Sequence, residues 1–208
     1  MKLLCEFVGT FLFLLVISIT PDGPTKAMVI GTILMVMVFM GGAFSGAHYN
    51  PAVTLGVALR KKMPAGDVIP YMLVQFAAGV SAFLVGWWLT NKTPGIAPAL
   101  DATIPQALIT EMIFTFGLVM TVLCVTSPQN KGNSYFGLAI GFFIFAAASA
   151  GGPISGGAFN PAVGLSATLV KALVGGGNWS HLWLYIAGPF VGAILAALVY
   201  GEINREDR

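Results

Sequence analysis

The feature that most restricts the fold of this chain is a set of six long apolar segments. Each is near 20 residues, the length that an α-helix needs to cross a hydrocarbon core of about 30 Å. Only 9% of the 208 residues are charged, against about 25% in soluble domains, so the chain could not cover a soluble surface. The segments are Leu3–Ile19, Ala27–Phe44, Val68–Leu89, Ile104–Val125, Tyr135–Ala150 and His181–Tyr200. They predict an all-α integral membrane protein with six transmembrane helices.

Two shorter apolar segments begin with almost the same polar phrase. SGAHYNPAV covers Ser45–Val53, and SGGAFNPAV covers Ser155–Val163. Asn favours the N-cap of a helix and Pro its first position, so the phrase predicts a helix start in each case. The resulting helices, Pro51–Leu59 and Pro161–Leu173, would reach only about half-way across a bilayer. We therefore expect two re-entrant half-helices, each preceded by an extended, non-helical entry that contains Gly and Ser.

The phrase belongs to a longer internal repeat. A glycine lies 19 residues before each Asn of the phrase, at Gly31 and Gly141. The first segment opens with EFVGTF and the fourth with EMIFTF, both of the form E-x-x-x-T-F. The repeats are residues 1–89 and 104–200, each with three full crossings and one half-helix. Because three is odd, the second repeat starts on the opposite side of the membrane, and the halves are predicted to be inverted.

Inversion brings the N-terminal ends of the half-helices together from opposite faces. Non-helical backbone at membrane depth is tolerated where it lines a watery cavity, so the pattern predicts a pore with Asn50 and Asn160 at its centre. Inverted repeats also occur in secondary transporters, and a non-conducting structural membrane protein is a third alternative. The sequence has no Asp or Lys near the helix breaks that could couple an ion. No nucleophile–base pair, phosphate loop or metal-ligand spacing points to an enzyme, a metal or a cofactor.

These features resemble those of the aquaporin and glycerol-facilitator family, the major intrinsic proteins, along essentially the whole chain. The resemblance rests on the six spans, the two half-helices, the E-x-x-x-T-F openings and two NPA motifs. The motifs are Asn50, Pro51, Ala52 and Asn160, Pro161, Ala162. The resemblance implies a single channel domain over residues 1–208 and a homotetramer in the lipid bilayer with one pore per subunit. It also implies passive passage of water, with small neutral solutes as further candidates.

The two Asn amides suggest how such a pore would exclude protons. Each can donate a hydrogen bond to the oxygen of a passing water. A water held by Asn50 and Asn160 must point its own hydrogens outward, which breaks the chain of waters along which protons would hop. The two helix N-termini add about half a positive charge each and repel cations at the centre.

Three ionisable residues fall at membrane depth in this arrangement. The resemblance implies that Glu6 and Glu111 accept hydrogen bonds from backbone N–H groups of the entry stretches and hold them in place. The alternative is a proton relay, because ionisable groups inside a membrane usually have a function. His48 falls at a family position in the pore vestibule, where it lines the pore passively or senses pH.

The chain departs from the family at the outer constriction. Val163 stands where the family nearly always has an Arg, and the other three filter positions fall on Gly157, Ala148 and Ile30. This set contains no aromatic, His or Arg, so the resemblance implies a wide, apolar filter without the usual donors. Gly164 stands where glycerol facilitators usually carry an Asp. Two interpretations remain: water flux is intact despite the change, or the solute range is altered.

The distribution of basic residues predicts the orientation. With both termini cytoplasmic, seven Lys and Arg face the cytoplasm and three face the other side, which agrees with the positive-inside rule. The seven are Lys2, Arg60, Lys61, Lys62, Lys131, Arg205 and Arg208, and the three are Lys26, Lys92 and Lys171. We expect insertion into the cell membrane. The net charge of +2 and the absence of a basic cluster give no indication of a nucleic-acid partner.

Overall fold

The structure, a computed structural model, describes residues 1–92, 95–177 and 179–205, so Arg208 lies outside the described residues. Its helices are α1 (Lys2–Ile19), α2 (Lys26–Ser45), α3 (Pro51–Leu59), α4 (Ala65–Thr90), α5 (Ile104–Val125), α6 (Phe136–Ser155), α7 (Pro161–Gly175) and α8 (Leu182–Ile203), with one 3₁₀ turn at Pro128–Asn130. Six helices in the described part of the chain are long and apolar enough to cross a membrane: α1, α2, α4, α5, α6 and α8. The predicted all-α membrane-protein class is confirmed.

The short helices α3 and α7 begin at the residues that the sequence predicted, Pro51 and Pro161. Helix α3 has 9 residues and α7 has 15. At about 1.5 Å per residue, α3 extends for less than half the thickness of a hydrocarbon core. Helix α7 continues two residues beyond the predicted end, to Gly175, before Gly176 caps it in a left-handed conformation with φ 68°.

The end of α6 differs from the prediction. The sequence predicted an end at Ala150 and an extended stretch after it, but the helix continues to Ser155. Gly151 does not break the helix there. A Cβ atom at Gly151 would lie 2.7 Å from the Phe114 ring, so the glycine makes room for tertiary packing instead. Pro153 also remains within the helix, and its missing N–H is accommodated near the helix end.

The two entry stretches are consequently shorter than the sequence predicted. Helices α2 and α6 end at the Ser residues, and the following glycines adopt the left-handed conformation that terminates a helix. Gly46 has φ 88° and Gly156 has φ 91°. The non-helical entries are therefore residues 46–49 and 156–159, directly before each Asn.

Each pair of packed helices in the first half of the chain has an equivalent pair in the second half. Helix α1 packs against α4 as α5 packs against α8, and α2 packs against α6. Each short helix packs against the last span of the opposite half, α3 against α8 and α7 against α4. This reciprocal pattern is what a two-fold relation between the halves requires, and it makes each half depend on the other for its half-helix.

Helices α2 and α6 approach most closely at the two glycines that the repeat aligns. A Cβ atom on Gly31 would lie 2.5 Å from the carbonyl oxygen of Gly141, and one on Gly141 would lie 2.6 Å from that of Gly31. Small residues permit such close contact between membrane helices, because dispersion contacts replace the hydrophobic effect that is missing in lipid. The short distance between these two helices at their crossing point therefore depends on the absence of side chains at Gly31 and Gly141.

We expect Gly31→Ala to destabilise the protein by about 1–3 kcal/mol, because the new methyl group meets backbone that cannot move aside without separating the helices. Gly152→Ala, also on α6, is the matched control, since its Cβ would meet no atom within 4 Å. The control should be neutral or slightly stabilising. The measurement is the temperature at which the detergent-solubilised protein loses its monodisperse peak in gel filtration. Equal behaviour of the two variants would contradict this account of the crossing.

Candidate functional site

Each short helix is opened by an Asn that caps its own N-terminus. The side-chain oxygen of Asn50 accepts a hydrogen bond from the backbone N–H of Ala52 at 2.9 Å, and that of Asn160 accepts one from Ala162, also at 2.9 Å. Both Asn residues have extended backbone, as an N-cap requires. The capping bonds fix which end of each amide faces its helix, so the NH2 groups point away from it.

The NH2 groups of the two Asn residues join the halves of the molecule. Nδ2 of Asn50 donates to the carbonyl oxygen of Phe159 at 2.9 Å, and Nδ2 of Asn160 donates to that of Tyr49 at 3.0 Å. These bonds hold the N-terminal ends of α3 and α7 against each other. An amide NH2 has two hydrogens, so one N–H of each Asn remains after the cross-link. Nothing in the local sequence indicated these reciprocal bonds.

The first entry stretch is fastened to a carboxylate on α1. Glu6 is fully buried and accepts hydrogen bonds from Oγ of Ser45 at 2.7 Å, from the N–H of His48 at 3.0 Å and from the N–H of Tyr49 at 2.8 Å. The N–H of Ala47 donates to the same Ser45 hydroxyl oxygen at 3.1 Å. Three backbone N–H groups in a row are thus satisfied by one carboxylate and one hydroxyl.

The second entry stretch repeats this arrangement on α5. Fully buried Glu111 accepts from Oγ of Ser155 at 2.7 Å, from the N–H of Ala158 at 2.9 Å and from the N–H of Phe159 at 2.7 Å. The N–H of Gly157 donates to Oγ of Ser155 at 3.1 Å. Because these N–H groups are turned toward the carboxylate, the entry carbonyls are free to face elsewhere.

The two carboxylates hold the backbone of the entry stretches in a strained conformation. Ala47, Tyr49 and Phe159 have φ between 48° and 51°, a region that costs a residue with a side chain about 1–3 kcal/mol. Each of these residues either donates to a Glu directly or neighbours one that does. The strain is concentrated in the two entry stretches, where the backbone must turn sharply between a full span and a half-helix.

Two tyrosines add a further constraint that sequence reasoning missed. The hydroxyl of Tyr71, on α4, donates to the carbonyl oxygen of Ser45 at 3.0 Å. The hydroxyl of Tyr185, on α8, donates to the carbonyl oxygen of Ser155 at 2.6 Å. Both rings are almost completely buried. The available signal was a tyrosine inside an otherwise apolar span of each half.

The first half contains a polar network with His48. Nδ1 of His48 lies 3.1 Å from Oγ1 of Thr54, and the His48 ring packs on the Tyr71 ring with centroids 5.3 Å apart. Nε2 of Gln75 donates to Oε2 of Glu6 at 2.9 Å and to Oγ1 of Thr54 at 3.0 Å. The position of Thr54 is taken in the second half by Gly164, so the two ends of the molecule differ in polarity at this depth.

One cavity contacts the residues singled out in the sequence. Its empty volume is about 870 Å³, part of it open to the surface. Both Asn residues, His48 and the four predicted filter positions line it: Asn50, Asn160, His48, Ile30, Ala148, Gly157 and Val163. The remaining wall is mostly aliphatic and aromatic. The structure therefore brings the predicted pore residues to one cavity, and Glu6 and Glu111 are not among the described residues that line it.

Sequence reasoning missed one charged residue in this wall. Lys26, the first residue of α2, lines the cavity together with Ile30, one helical turn further along the same face. Its ammonium donates to Oδ1 of Asp22 at 2.6 Å. This hydrogen bond and the positive charge of Lys26 lower the pKa of the Asp22 carboxyl from its usual value. The spacing Lys26–Ile30 was the signal available in the sequence.

Comparison with known proteins agrees with this geometry. A model of the major intrinsic protein family matches residues 1–200. The chain is 34% identical over 216 residues to aquaporin NIP1-4 of Oryza sativa subsp. japonica, covering 97% of this chain and 76% of that protein. It is 32% identical over 221 residues to aquaporin TIP2-3 of Arabidopsis thaliana, covering 96% and 86%. The X-ray structure of the aquaglyceroporin from Plasmodium falciparum shares the fold, with a TM-score of 0.84, 20% identity and coverage of 97% of this chain and 95% of that one.

Proposed function

Because the chain belongs to the major intrinsic protein family, we propose that it is a passive membrane channel for water and small neutral solutes. The observation that carries the proposal is the meeting of two half-helix N-termini beside one cavity, with a free N–H of Asn50 and of Asn160 left to face it. The unit is a single channel domain over residues 1–208, with repeats at 1–89 and 104–200. The family is one of channels and not of enzymes.

The centre of the passage selects against ions by geometry and charge. A water or a hydroxyl that accepts hydrogen bonds from Asn50 and Asn160 cannot also accept one from a neighbouring water in line. The ends of α3 and α7 each present about half a positive charge at this point. A neutral solute crosses this region with hydrogen bonds made to the amides, whereas a cation meets repulsion and loses its hydration.

The filter we propose is wide and apolar. Ile30, Ala148, Gly157 and Val163 line the cavity together, and none of them offers a charged group or a side-chain hydrogen-bond donor. Gly157 and Ala148 also leave space for solutes larger than water. We propose that the solute range includes such neutral molecules, and that Glu6 and Glu111 brace the entry stretches while His48 lines the vestibule.

Stopped-flow light scattering on proteoliposomes tests the function. Osmotic water flux and the entry of glycerol, urea and ammonia are compared with empty liposomes. We expect water and at least one neutral solute to cross faster, with rates that rise linearly with concentration. Saturable uptake that depends on an ion gradient would instead identify a secondary transporter. Rates equal to those of empty liposomes, from well-folded protein, would identify a non-conducting structural protein.

We further propose a homotetramer with both termini cytoplasmic, in the cell membrane. The basic residues near the chain ends and between α3 and α4 support this orientation, because cytoplasmic connections carry an excess of Lys and Arg. Protection of a tag at the C-terminus from protease added outside intact cells tests the orientation. Chemical cross-linking in the membrane tests the assembly, and a ladder that stops at dimers would contradict the tetramer.

Replacement of Asn160 by Asp is expected to raise proton or cation leak through the channel. The carboxylate adds a negative charge where two positive helix ends meet, and it cannot donate the hydrogen bond that Asn160 gives to the carbonyl of Tyr49. Leak is followed by a pH-sensitive dye inside the liposomes. Asn204→Asp, at the C-terminal cap of α8 and outside the cavity, is the control. An unchanged leak in a folded Asn160→Asp protein would argue against a central barrier at this residue.

A further inference from the structure

Among the described residues, the wall of the cavity contains one charged side chain that the apolar filter does not explain. Lys26 belongs to the wall, whereas the other described residues that line the cavity include no Asp, Glu, Arg or second Lys. We group Lys26 with four other residues that line the cavity: Ile30, Gly157 and two residues of the α4–α5 connection, Gly95 and Ile96. The side chain of Lys171 packs against Gly95 from outside this set of five. We call this set the Lys26 mouth.

The position of Lys26 relative to the filter follows from helix geometry. Lys26 and Ile30 are four residues apart on α2, so they share a face and differ in height by about 6 Å. The side chain of Lys26 is 29% exposed, in contrast to 95% for its partner Asp22. The stem of Lys26 is thus packed against the wall, while its ammonium reaches the exposed carboxylate of Asp22.

The part of the Lys26 mouth that belongs to the α4–α5 connection is held in place by backbone contacts. The N–H of Ala99, in the α4–α5 connection, donates to the carbonyl oxygen of Ile154 at 3.0 Å. Gly156 is packed closely on the same connection, since a Cβ there would lie 2.7 Å from the carbonyl oxygen of Ala97. The connection is therefore fixed to the end of α6, and its residues Gly95 and Ile96 line the same cavity as Lys26.

We propose that Lys26 is a specificity-determining residue of this channel, which admits neutral solutes bearing oxygen acceptors and repels small monovalent cations. This inference rests on the proposed function. The ammonium has three N–H donors for a hydroxyl or carbonyl oxygen, and none of the filter side chains supplies one. Its charge has the same sign as the helix ends deeper in the cavity, so a cation meets repulsion before it reaches them. Anions attracted to the mouth find no side-chain donor at Ile30, Ala148 or Val163 and cannot proceed.

The ion pair with Asp22 leaves Lys26 able to act on a solute. Asp22 is almost fully exposed, and exposed ion pairs are weak because water and salt screen both charges. The ammonium can therefore exchange one of its hydrogen bonds for one to a solute at the mouth. Removal of the carboxylate leaves the positive charge uncompensated, so Asp22→Asn should reduce cation entry further.

The test compares native protein, Lys26→Met, Lys26→Arg and the control Lys92→Met in proteoliposomes. Lys92 does not belong to the cavity wall. Entry of methylammonium and of glycerol is measured at about 0.01 M and about 1 M salt, where the Debye lengths are about 30 Å and about 3 Å. We expect Lys26→Met to raise the ratio of methylammonium to glycerol flux about three- to tenfold at low salt. Most of this increase should vanish at high salt, and Lys26→Arg and Lys92→Met should behave as native.

Every result decides the proposal. Flux ratios of Lys26→Met equal to native at both salt concentrations would overturn it, and so would a change that salt does not affect, because that would reflect altered packing and not charge. Gel filtration verifies that the variants fold. Failure of the proposed function is recognised separately, since native protein would then pass neither water nor glycerol above the rate of empty liposomes.

Discussion

Glu111→Ala is expected to lose about 3–5 kcal/mol of stability and to abolish water flux. The substitution leaves the hydroxyl of Ser155 and the N–H groups of Ala158 and Phe159 buried without their acceptor. The backbone of Phe159 would no longer be held at φ 48°. Its carbonyl oxygen accepts the hydrogen bond from Nδ2 of Asn50, so this bond would be disturbed as well. The loss of hydrogen bonds in the entry stretch therefore also weakens the contact between the two half-helices.

One further variant separates a bracing role of Glu111 from a proton relay, and a second variant serves as the control for stability. Glu111→Gln keeps the shape and one acceptor oxygen but cannot titrate, so bracing predicts a partial loss of stability and partial flux. A proton-relay role predicts that Glu111→Gln folds normally but loses its flux. Glu202→Ala, which removes a carboxylate that is 65% exposed, should stay within about 0.5 kcal/mol of native. Thermal stability in detergent and flux per folded protein are measured together. Native-like stability of Glu111→Ala would refute the bracing role.

Val163→Arg is expected to lower the glycerol-to-water flux ratio at least about tenfold, equivalent to about 1.4 kcal/mol in the relative barriers. Val163 is 2% exposed in the wall of the cavity, near the space left by Gly157 and Ala148. A guanidinium there would narrow the passage and place five N–H donors in an apolar ring. Water, which is smaller and accepts hydrogen bonds readily, should be slowed less than glycerol.

The control for Val163→Arg is Val163→Met, which adds length without charge. If narrowing alone matters, both variants reduce glycerol flux, whereas a contribution of the charge appears only in Val163→Arg. No Asp or Glu is among the described residues that line the cavity, so the new cation must rely on carbonyls and water. Folding is therefore checked by gel filtration. Equal flux ratios in a folded Val163→Arg channel and the native one would remove residue 163 from the filter.

The starts of the half-helices could be predicted from the sequence because their causes are local. The Asn side chain that caps the helix and the Pro at the first helical position act within three residues, so the N-P-A motif by itself predicts a helix start. The class of the protein was equally accessible, since apolar segments of this length permit little besides membrane helices. The end of α6 was not, because Gly151 serves a contact with Phe114 from another helix.

The polar partners of the site required the tertiary structure. Tyr71, Gln75 and Tyr185 each lie in a span that reads as apolar, and their hydrogen bonds reach residues 21 or more positions away. Lys26 was counted only as a charge on one side of the membrane. Its four-residue spacing from Ile30 was the only signal for its place in the wall, because the low contrast between the faces of this apolar helix does not show how α2 is rotated about its axis.

During synthesis, α3 leaves the ribosome long before α8, the helix against which it packs. Until the final span has entered the membrane, the first half-helix has only its smaller contacts, which are with α4, α5 and α7. Nδ2 of Asn50 likewise has no acceptor until Phe159 has been translated. We therefore expect α3 to reach its final packing only after α8 has been synthesised. A nascent chain arrested before α8 would carry both NPA motifs and still lack the helix with which α3 makes its most extensive contact.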